Sequence, residues 1–278
     1  VSFRPSASFP AGVLACPVCG QALDKPDEVV RCPGGHNFDV ARQGYLNLLV
    51  GGRLARQRQP GDDEESLRSR RRFLDAGHYA PIADALCDAV DAVLTGGPTD
   101  DAVVFDVGCG EGYYTRALAA VGSNAIRFGL DVAKSGVRLA AGQDHDGHYV
   151  VGSAYRLPVL DRSVDVVTSV FAPRPISEFQ RILRQRGAAV TVTPASDHLG
   201  ELLSERGTRP GAASRAERRE QAPVLGARRV SYTLTLDDRT QRELIRMTPL
   251  NWQRGIRHEP ISTVTVDVWV STLCHGQT

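Results

Sequence analysis

The sequence predicts an α/β protein, a mostly parallel sheet with helices on both faces, preceded by a small metal-held module. Three observations predict it. Val103 to Val107 is an unbroken apolar run leading into Gly108-Cys-Gly-Glu-Gly112, as a buried parallel strand does when it turns into a helix. Strand-like and helix-like stretches then alternate as far as Thr193, the order that builds crossover units. Upstream, Cys16-Pro-Val-Cys19, Cys32 and His36 stand at C-x2-C-x12-C-x3-H spacing.

The cysteine and histidine set comes first in the chain. Two thiolates two residues apart share one metal through a tight turn, and a second pair from a neighbouring turn completes a tetrahedron. Four protein ligands make a closed, structural zinc site. Disulfides are the alternative, and a reducing compartment disfavours them. A module this short has little core of its own, so the metal is expected to hold it together. From Val40 to Gln59 there are four arginines (Arg42, Arg53, Arg56 and Arg58) and no acid, interleaved with Tyr45. Such a patch suits an RNA backbone with one stacked base, and it equally suits a solvated linker. Pro60-Gly61 marks a boundary, dividing the chain into 1–59 and 60–278.

Pro60 to Asp75 reads as a helix with acids in its first turn and Arg near its end. A second, amphipathic helix runs from Pro81 to about Leu94, with Ile82, Leu86, Ala89 and Val93 on one face. After the strand at Val103 to Val107, a helix is expected to start near Tyr113. The glycines of the turn let a ligand approach main-chain N–H groups without a Cβ in the way, and Asp106 ends the strand beside that ligand. The dinucleotide pattern G-x-G-x-x-G would need glycine where this chain has Tyr113, which argues against NAD. Ile126 to Asp131 is the next strand. Asp131 lies about 20 residues past the glycines, where ribose-binding acids sit in doubly wound folds.

Val132 to Ala141 follows as a helix, His148 to Val151 as a strand, and Gly152 to Pro158 as a loop with Ser153 and Ala154 as candidates beside a base. Val164 to Phe171 is the fourth strand, and its end carries Phe171-Ala-Pro-Arg174. Glu178 to Leu183 is a helix, Gln185-Arg-Gly187 a turn and Ala188 to Thr193 the fifth strand, leading to Asp197-His198. Arg206 to Arg229 holds seven arginines against Glu217 and Glu220, which fits a mobile segment over a cleft, an RNA contact or a solvated face. Val230 to Leu236 and Thr263 to Val270 alternate at period two, as antiparallel strands do, around a helix from Asp238 to Met247 and a loop at Pro249-Leu-Asn-Trp252.

Composition sets outer limits. The chain has 278 residues and a formal net charge of +1, which gives no global nucleic-acid footprint. Its only lysines are Lys25 and Lys134. No apolar run approaches the length of a membrane span, and the sequence shows no signal-peptide pattern, so a cytoplasmic protein without a membrane partner is expected.

Asp106-x-Gly-x-Gly-x-Gly112 resembles motif I of the S-adenosylmethionine-dependent methyltransferases, and the whole arrangement resembles their seven-stranded, Rossmann-like class I layout. The zinc ligands, His36-x-Phe-Asp-x-Ala-x-x-Gly-Tyr-x-Asn-Leu-Leu49, Phe73-Leu-Asp-Ala-Gly-His-Tyr79 and the Asp106 to Thr115 block together are similar to one family. It is the bacterial 23S rRNA guanine-N1 methyltransferases, and Phe171-Ala-Pro-Arg174 with Asp197 to Leu202 is most like its actinomycete macrolide-resistance branch (the tylosin and mycinamicin type). The resemblance implies S-adenosylmethionine and structural zinc as cofactors, 23S rRNA as partner and a homodimer. It implies cofactor contacts from Tyr79, Asp106, Gly108, Gly110, Tyr114, Thr115, Asp131 and His198, and zinc ligation by Cys16, Cys19, Cys32 and His36. Phe171 and Arg174, at the carboxyl end of the fourth strand, are the candidate catalytic positions because RNA bases stack on aromatic rings and Arg planes. On the residues alone, Tyr79 could be ordinary packing and Asp197 a helix cap. His198, Asp197 or water could take the N1 proton. A methyltransferase for a small metabolite and a non-catalytic RNA-binding assembly factor are the two rival readings.

Overall fold

The computed structural model describes residues 9–24, 29–50, 64–95, 101–122, 124–203, 223–248 and 259–274. In chain order its elements are β1 (Val29–Arg31), β2 (Asn37–Asp39), β3 (Tyr45–Asn47), α1 (Glu64–Asp75), α2 (Ala80–Thr95), β4 (Val103–Val107), α3 (Tyr113–Ala117) and β5 (Ile126–Asp131). There follow α4 (Lys134–Ala141), β6 (His148–Val151), β7 (Val164–Val170), α5 (Ile176–Ile182), β8 (Leu183–Pro194), β9 (Val224–Thr235), α6 (Asp238–Met247) and β10 (Thr263–Cys274).

Eight strands form one sheet in the order β3-β6-β5-β4-β7-β8-β10-β9. From β3 to β8 all neighbours are parallel, and β10 runs antiparallel to both β8 and β9. Seven of these strands are those the sequence predicted. The eighth, β3, comes from the zinc module and pairs with β6 through Tyr45, Leu46 and Asn47. Three residues are too few to show a period, so nothing in the sequence marks them as a sheet edge.

The module is fastened to the sheet by more than that edge. Ala15 N–H donates to Pro158 O (3.0 Å), Leu160 N–H to Val13 O (2.9 Å) and Leu48 N–H to Val151 O (2.9 Å). Leu14, Leu23, Val30 and Leu46 are buried in one cluster with Phe105, Phe128, Val150 and Phe179. The core on this face therefore belongs to both parts. The boundary expected at Pro60-Gly61 lies outside the described residues.

On the opposite face α2 covers the sheet. Its large buried side chains are Ile82, Leu86, Val90 and Leu94, with Ala83 and Ala85 buried beside them; the four recur every fourth position as a core-facing stripe does. The expected stripe through Ala89 and Val93 is thus turned slightly, and those two residues lie at its half-buried margin. Pro81 stands in the first turn, where its missing N–H costs nothing.

Two further expectations are corrected. Gln185-Arg-Gly187 does not form a turn between α5 and the next strand, because β8 begins directly at Leu183. Val164 faces Leu183 while Val166 faces Ala188, so Arg184 to Gly187 bulge opposite Asp165. Arg184 Nη1 reaches the Asp165 carboxylate at 2.6 Å, and the same oxygen accepts from Val103 N–H at 2.8 Å. Secondly, the arginine-rich stretch ends in a strand and not in a mobile segment: Arg228 and Arg229 lie in β9, paired to β10 and exposed as the solvated-face alternative has it. Residues 204–222 and the loop at 249–252 lie outside the described residues.

β4 lies in the middle of the parallel set, with β5, β6 and β3 on one side of it and β7 and β8 on the other. The chain order reverses between β4 and β7, and open sheets bind ligands outside the carboxyl ends at that point. The two loops there lie in contact. A Cβ on Gly108 would sit 2.3 Å from the Ala172 Cβ, and Gly108 has φ +84°, so both space and backbone require glycine.

Candidate functional site

The metal set closes in space as its spacing predicted. Cys16 Sγ lies 3.6 Å from His36 Nδ1, Cys19 Sγ 3.6 Å from Cys32 Sγ, and Cys32 Sγ 3.3 Å from His36 Nδ1. A tetrahedron with zinc bonds of about 2.0–2.3 Å has edges of roughly 3.3–3.8 Å, so the donor set fits zinc in size and in chemistry. Each half is a tight turn: Gly20 N–H donates to Cys16 O (2.8 Å) and Gly35 N–H to Cys32 O (3.0 Å). Burial works against the Cys32 thiolate, but hydrogen bonds from the His36 backbone and ring and from the Cys19 and Cys16 sulfurs bring its pKa down to about 6. The thiolate is the ligating form.

At the carboxyl edge of the sheet, the glycine turn is wired inward. Gly108 N–H and Cys109 N–H both donate to Leu130 O (2.7 and 3.0 Å), and Gly112 N–H to Cys109 O (2.9 Å). Gly110 N–H donates to Asp131 Oδ2 at 2.9 Å, while Ala133 N–H donates to Asp131 Oδ1 at 2.7 Å. The expectation that this turn offers its N–H groups to a ligand is corrected for these four positions. Their donors are used within the protein, so the electrostatic character of the turn comes from acids. That favours a ligand with cationic groups over a pyrophosphate.

Asp106 is 2% exposed. It accepts from the Thr115 hydroxyl (2.6 Å) and from the Thr168 hydroxyl (2.9 Å). Burial pushes its carboxyl up to about 6 against those two hydrogen bonds, with Asp131 adding to the rise. Thr115 is therefore placed behind Asp106 as its support. Thr168, in the middle of β7, was missed from sequence because a threonine inside a valine-rich strand reads as ordinary β propensity.

Four aromatic rings gather over the turn. Tyr79 lies 6.2 Å from Phe171 and 6.3 Å from His198, and Phe171 stacks on His198 at 5.6 Å with 24° between the planes. Tyr114 is half-buried and packs against the same core cluster as Tyr79. The Tyr79 and Tyr114 hydroxyls are both buried without a hydrogen-bond partner among the described residues. Such orphans are rare in a finished interior, and they fit a site that a polar ligand completes.

Phe171 is 41% exposed and has φ +52°, a left-handed backbone that a non-glycine residue holds only under constraint. Arg174 is half-buried on the same loop. Tyr45 is elsewhere: it is 5% exposed and packed with Tyr149 and Val137, so the idea that it stacks an RNA base is corrected. Ser153 stays in its loop, where its hydroxyl accepts from Tyr155 N–H at 3.3 Å.

His198 is fixed by the antiparallel end of the sheet. Its Nδ1 accepts from Asp267 N–H at 3.1 Å, and burial pushes its pKa down to about 4, with Asp267 opposing. A neutral ring whose Nδ1 accepts carries its proton on Nε2, so His198 is a donor. It is removed as a base for the N1 proton. Asp267, 0% exposed, is held by Arg229 at 2.7 Å to each oxygen. The signal for this pair was a lone acid inside the alternating Thr-Val-Thr-Val-Asp-Val-Trp-Val270.

Comparisons with known proteins agree with this geometry. A family model described as RlmA, N-terminal, a zinc ribbon, matches residues 14–50, and one described as a methyltransferase domain matches residues 105–191. A 23S rRNA (guanine(748)-N(1))-methyltransferase of Streptomyces fradiae is 34% identical over 251 residues, 87% of this chain and 86% of that protein. The chain belongs to the 23S rRNA (guanine-N1)-methyltransferase family. Relatives from Micromonospora griseorubida (41% over 210 residues, 70% of each protein) and Bacillus subtilis (30% over 274 residues, 92% of this chain and 95% of that protein) are named for the same reaction. As a family member the chain is an S-adenosylmethionine-dependent methyltransferase with a structural zinc ribbon. Among the described residues no helix is long and apolar enough to cross a membrane.

Proposed function

We propose that this enzyme methylates N1 of a guanine in a hairpin loop of 23S rRNA, in the cytoplasm, and that the modification confers macrolide resistance. The observation that carries the reading is the similarity to the Streptomyces fradiae enzyme over 87% of the chain, together with the zinc ribbon matched at residues 14–50. A homodimer is part of the same reading, and light scattering on the purified protein tests it.

When bound, S-adenosylmethionine supplies an electrophilic methyl on a sulfonium. The chain's own task is alignment. Gly108 and Gly110 shape the floor of the cleft, Asp106 and Asp131 place acids toward its cationic and hydroxyl-bearing parts, and Tyr79, Tyr114 and His198 wall it. Thr115 acts through Asp106. Guanine N1 lies on the Watson–Crick edge, so the base reacts only when unpaired. Phe171, exposed and strained on the edge of the cleft, provides a face for that base, and Arg174 lies three residues on. His198 Nε2–H is a donor beside the same ring. With His198 excluded as the base, Asp197 or water takes the N1 proton.

The test is transfer of labelled methyl from S-adenosylmethionine to unmodified 23S rRNA across a salt series. Label in RNA that falls steeply with salt supports the reading, because phosphate contacts release counterions. Cofactor binding with no label in RNA contradicts it.

A further inference from the structure

We propose that Arg70 receives the carboxylate at the amino-acid end of the cofactor, with the hydroxyls of Tyr114 and Tyr79 completing that subsite. The inference rests on the cofactor reading above and names a residue that neither the motifs nor the comparisons single out. Arg70 lies in the middle of α1, forty residues before Gly110. Its Nη2 donates to Met247 O, at the end of α6, at 2.8 Å. That bond clamps the guanidinium between two helices and turns it toward the glycine turn. Nη1 lies 3.3 Å from the point a Gly110 Cβ would occupy. The charge reaches Glu111 and Tyr114, favouring the ionised form of each.

The surroundings match a zwitterion. Asp106 and Asp131 place negative charge at the ends of β4 and β5, whereas Arg70 approaches the same turn from α1. An amino-acid group bound across Gly110 would set its ammonium toward the acids and its carboxylate toward Arg70. The buried Tyr114 hydroxyl, without a partner among the described residues, lies within reach of this guanidinium's field and of Tyr79. The Tyr79 hydroxyl is orphaned too. The Tyr114 phenol near the guanidinium fork, with the Tyr79 phenol next to it, makes a set of charge-assisted hydrogen bonds for a carboxylate. They do nothing for the adenosine end.

The test compares two thioethers by isothermal titration of the zinc-loaded protein. S-adenosylhomocysteine carries the amino-acid end, and methylthioadenosine lacks it while keeping the nucleoside. Arg70→Met should weaken S-adenosylhomocysteine about 30-fold and leave methylthioadenosine within about 2-fold, a tenfold change corresponding to about 1.4 kcal/mol. Arg70→Lys should recover part of the loss, because it restores the charge without the fork. Tyr114→Phe, which removes one donor and keeps the ring, should weaken only S-adenosylhomocysteine, by about 5-fold. Unchanged S-adenosylhomocysteine affinity in Arg70→Met overturns the proposal. So does equal weakening of both ligands by Arg70→Met and Tyr114→Phe, which would make the clamp to Met247 purely structural. Wild-type protein that binds neither thioether overturns the cofactor reading itself, a result distinct from either of these.

Discussion

Replacing Asp144 by Asn should unfold this protein more readily than any surface change, and the structure allows the size of the effect to be worked out. Arg127 and Asp144 are each 8% exposed at the side chain and meet at 2.7 Å. Asp144 also accepts from the Tyr149 hydroxyl at 2.9 Å and from Gly147 N–H at 3.2 Å. Asn keeps a carbonyl for some of these donors but leaves the Arg127 guanidinium with Thr115 O, at 3.0 Å, as its remaining partner. Removing one member of a buried pair costs about 3–5 kcal/mol, because the other charge stays buried and uncompensated. At roughly 2–4 °C per kcal/mol for a chain of this size, Asp144→Asn should lower the melting temperature by about 6–20 °C. Scanning calorimetry or urea unfolding measures it. The double variant Arg127→Met with Asp144→Asn should be less damaged than Asp144→Asn alone, since no unpaired cation remains. There is also a pH signature. Burial raises the Asp144 carboxyl, but Arg127 and Tyr149 hold it below its ordinary value of 3.8. A depressed carboxylate contributes stability above its unfolded pKa and loses it as pH falls through the folded one, so this contribution disappears only in strong acid, and Asp144→Asn lacks that limb. A loss under about 1 kcal/mol, or a double variant worse than the single, would refute the reasoning.

Other predictions follow from the same structure. Stripping zinc with a chelator should open β1 and β2 and also loosen β6, because Leu14 and Leu46 share a core with Val150; hydrogen exchange at Tyr149 to Val151 should rise, and unchanged protection there would separate the module from the sheet. His148 and His198 are both pushed down to about 4 by burial, so the unfolded chain takes up protons near 6.5 before the folded one does. Their contribution is full above about 6.5 and lost as pH falls toward 4, about 2 kcal/mol each by pH 5. Asp106, raised to about 6, acts in the opposite sense over that range, so the check is the difference in acid sensitivity between wild type and His148→Leu, which should show that increment missing. Arg174→Ala should lower kcat for methyl transfer at least about tenfold with S-adenosylhomocysteine affinity unchanged; equal loss of both would place Arg174 with the cofactor.

Where the sequence was legible, a local pattern carried the physics. The apolar run at Val103 to Val107 has to be a buried strand, and the Cys16 to His36 spacing encodes two tight turns facing one metal. Both are readable because the constraint lies within a few residues of itself. The rest depends on residues far apart in the chain. Tyr45 looks like an aromatic in a basic linker until β3 is seen against β6. Gln185 to Gly187 has turn composition, but the bulge opposite Asp165 accommodates it. The N–H groups of the glycine turn seemed available to a ligand, and only the neighbouring strand shows that Leu130 and Asp131 take them. Arg127 to Asp144 and Asp267 to Arg229 are ion pairs whose members sit in strands or loops with no shared motif. Arg127 and Asp267 were marked only by a charge inside an apolar stretch, and Asp144 and Arg229 lie in polar sequence that marks nothing.

The most direct measurement is primer extension on 23S rRNA after incubation with the enzyme and S-adenosylmethionine. N1 methylation removes the Watson–Crick donor, so reverse transcriptase halts one nucleotide before the modified base. The account predicts a single strong stop at a guanine in a hairpin loop, lost when that guanine is replaced by adenine. A full-length product with no new stop, from protein that binds the cofactor, would contradict it.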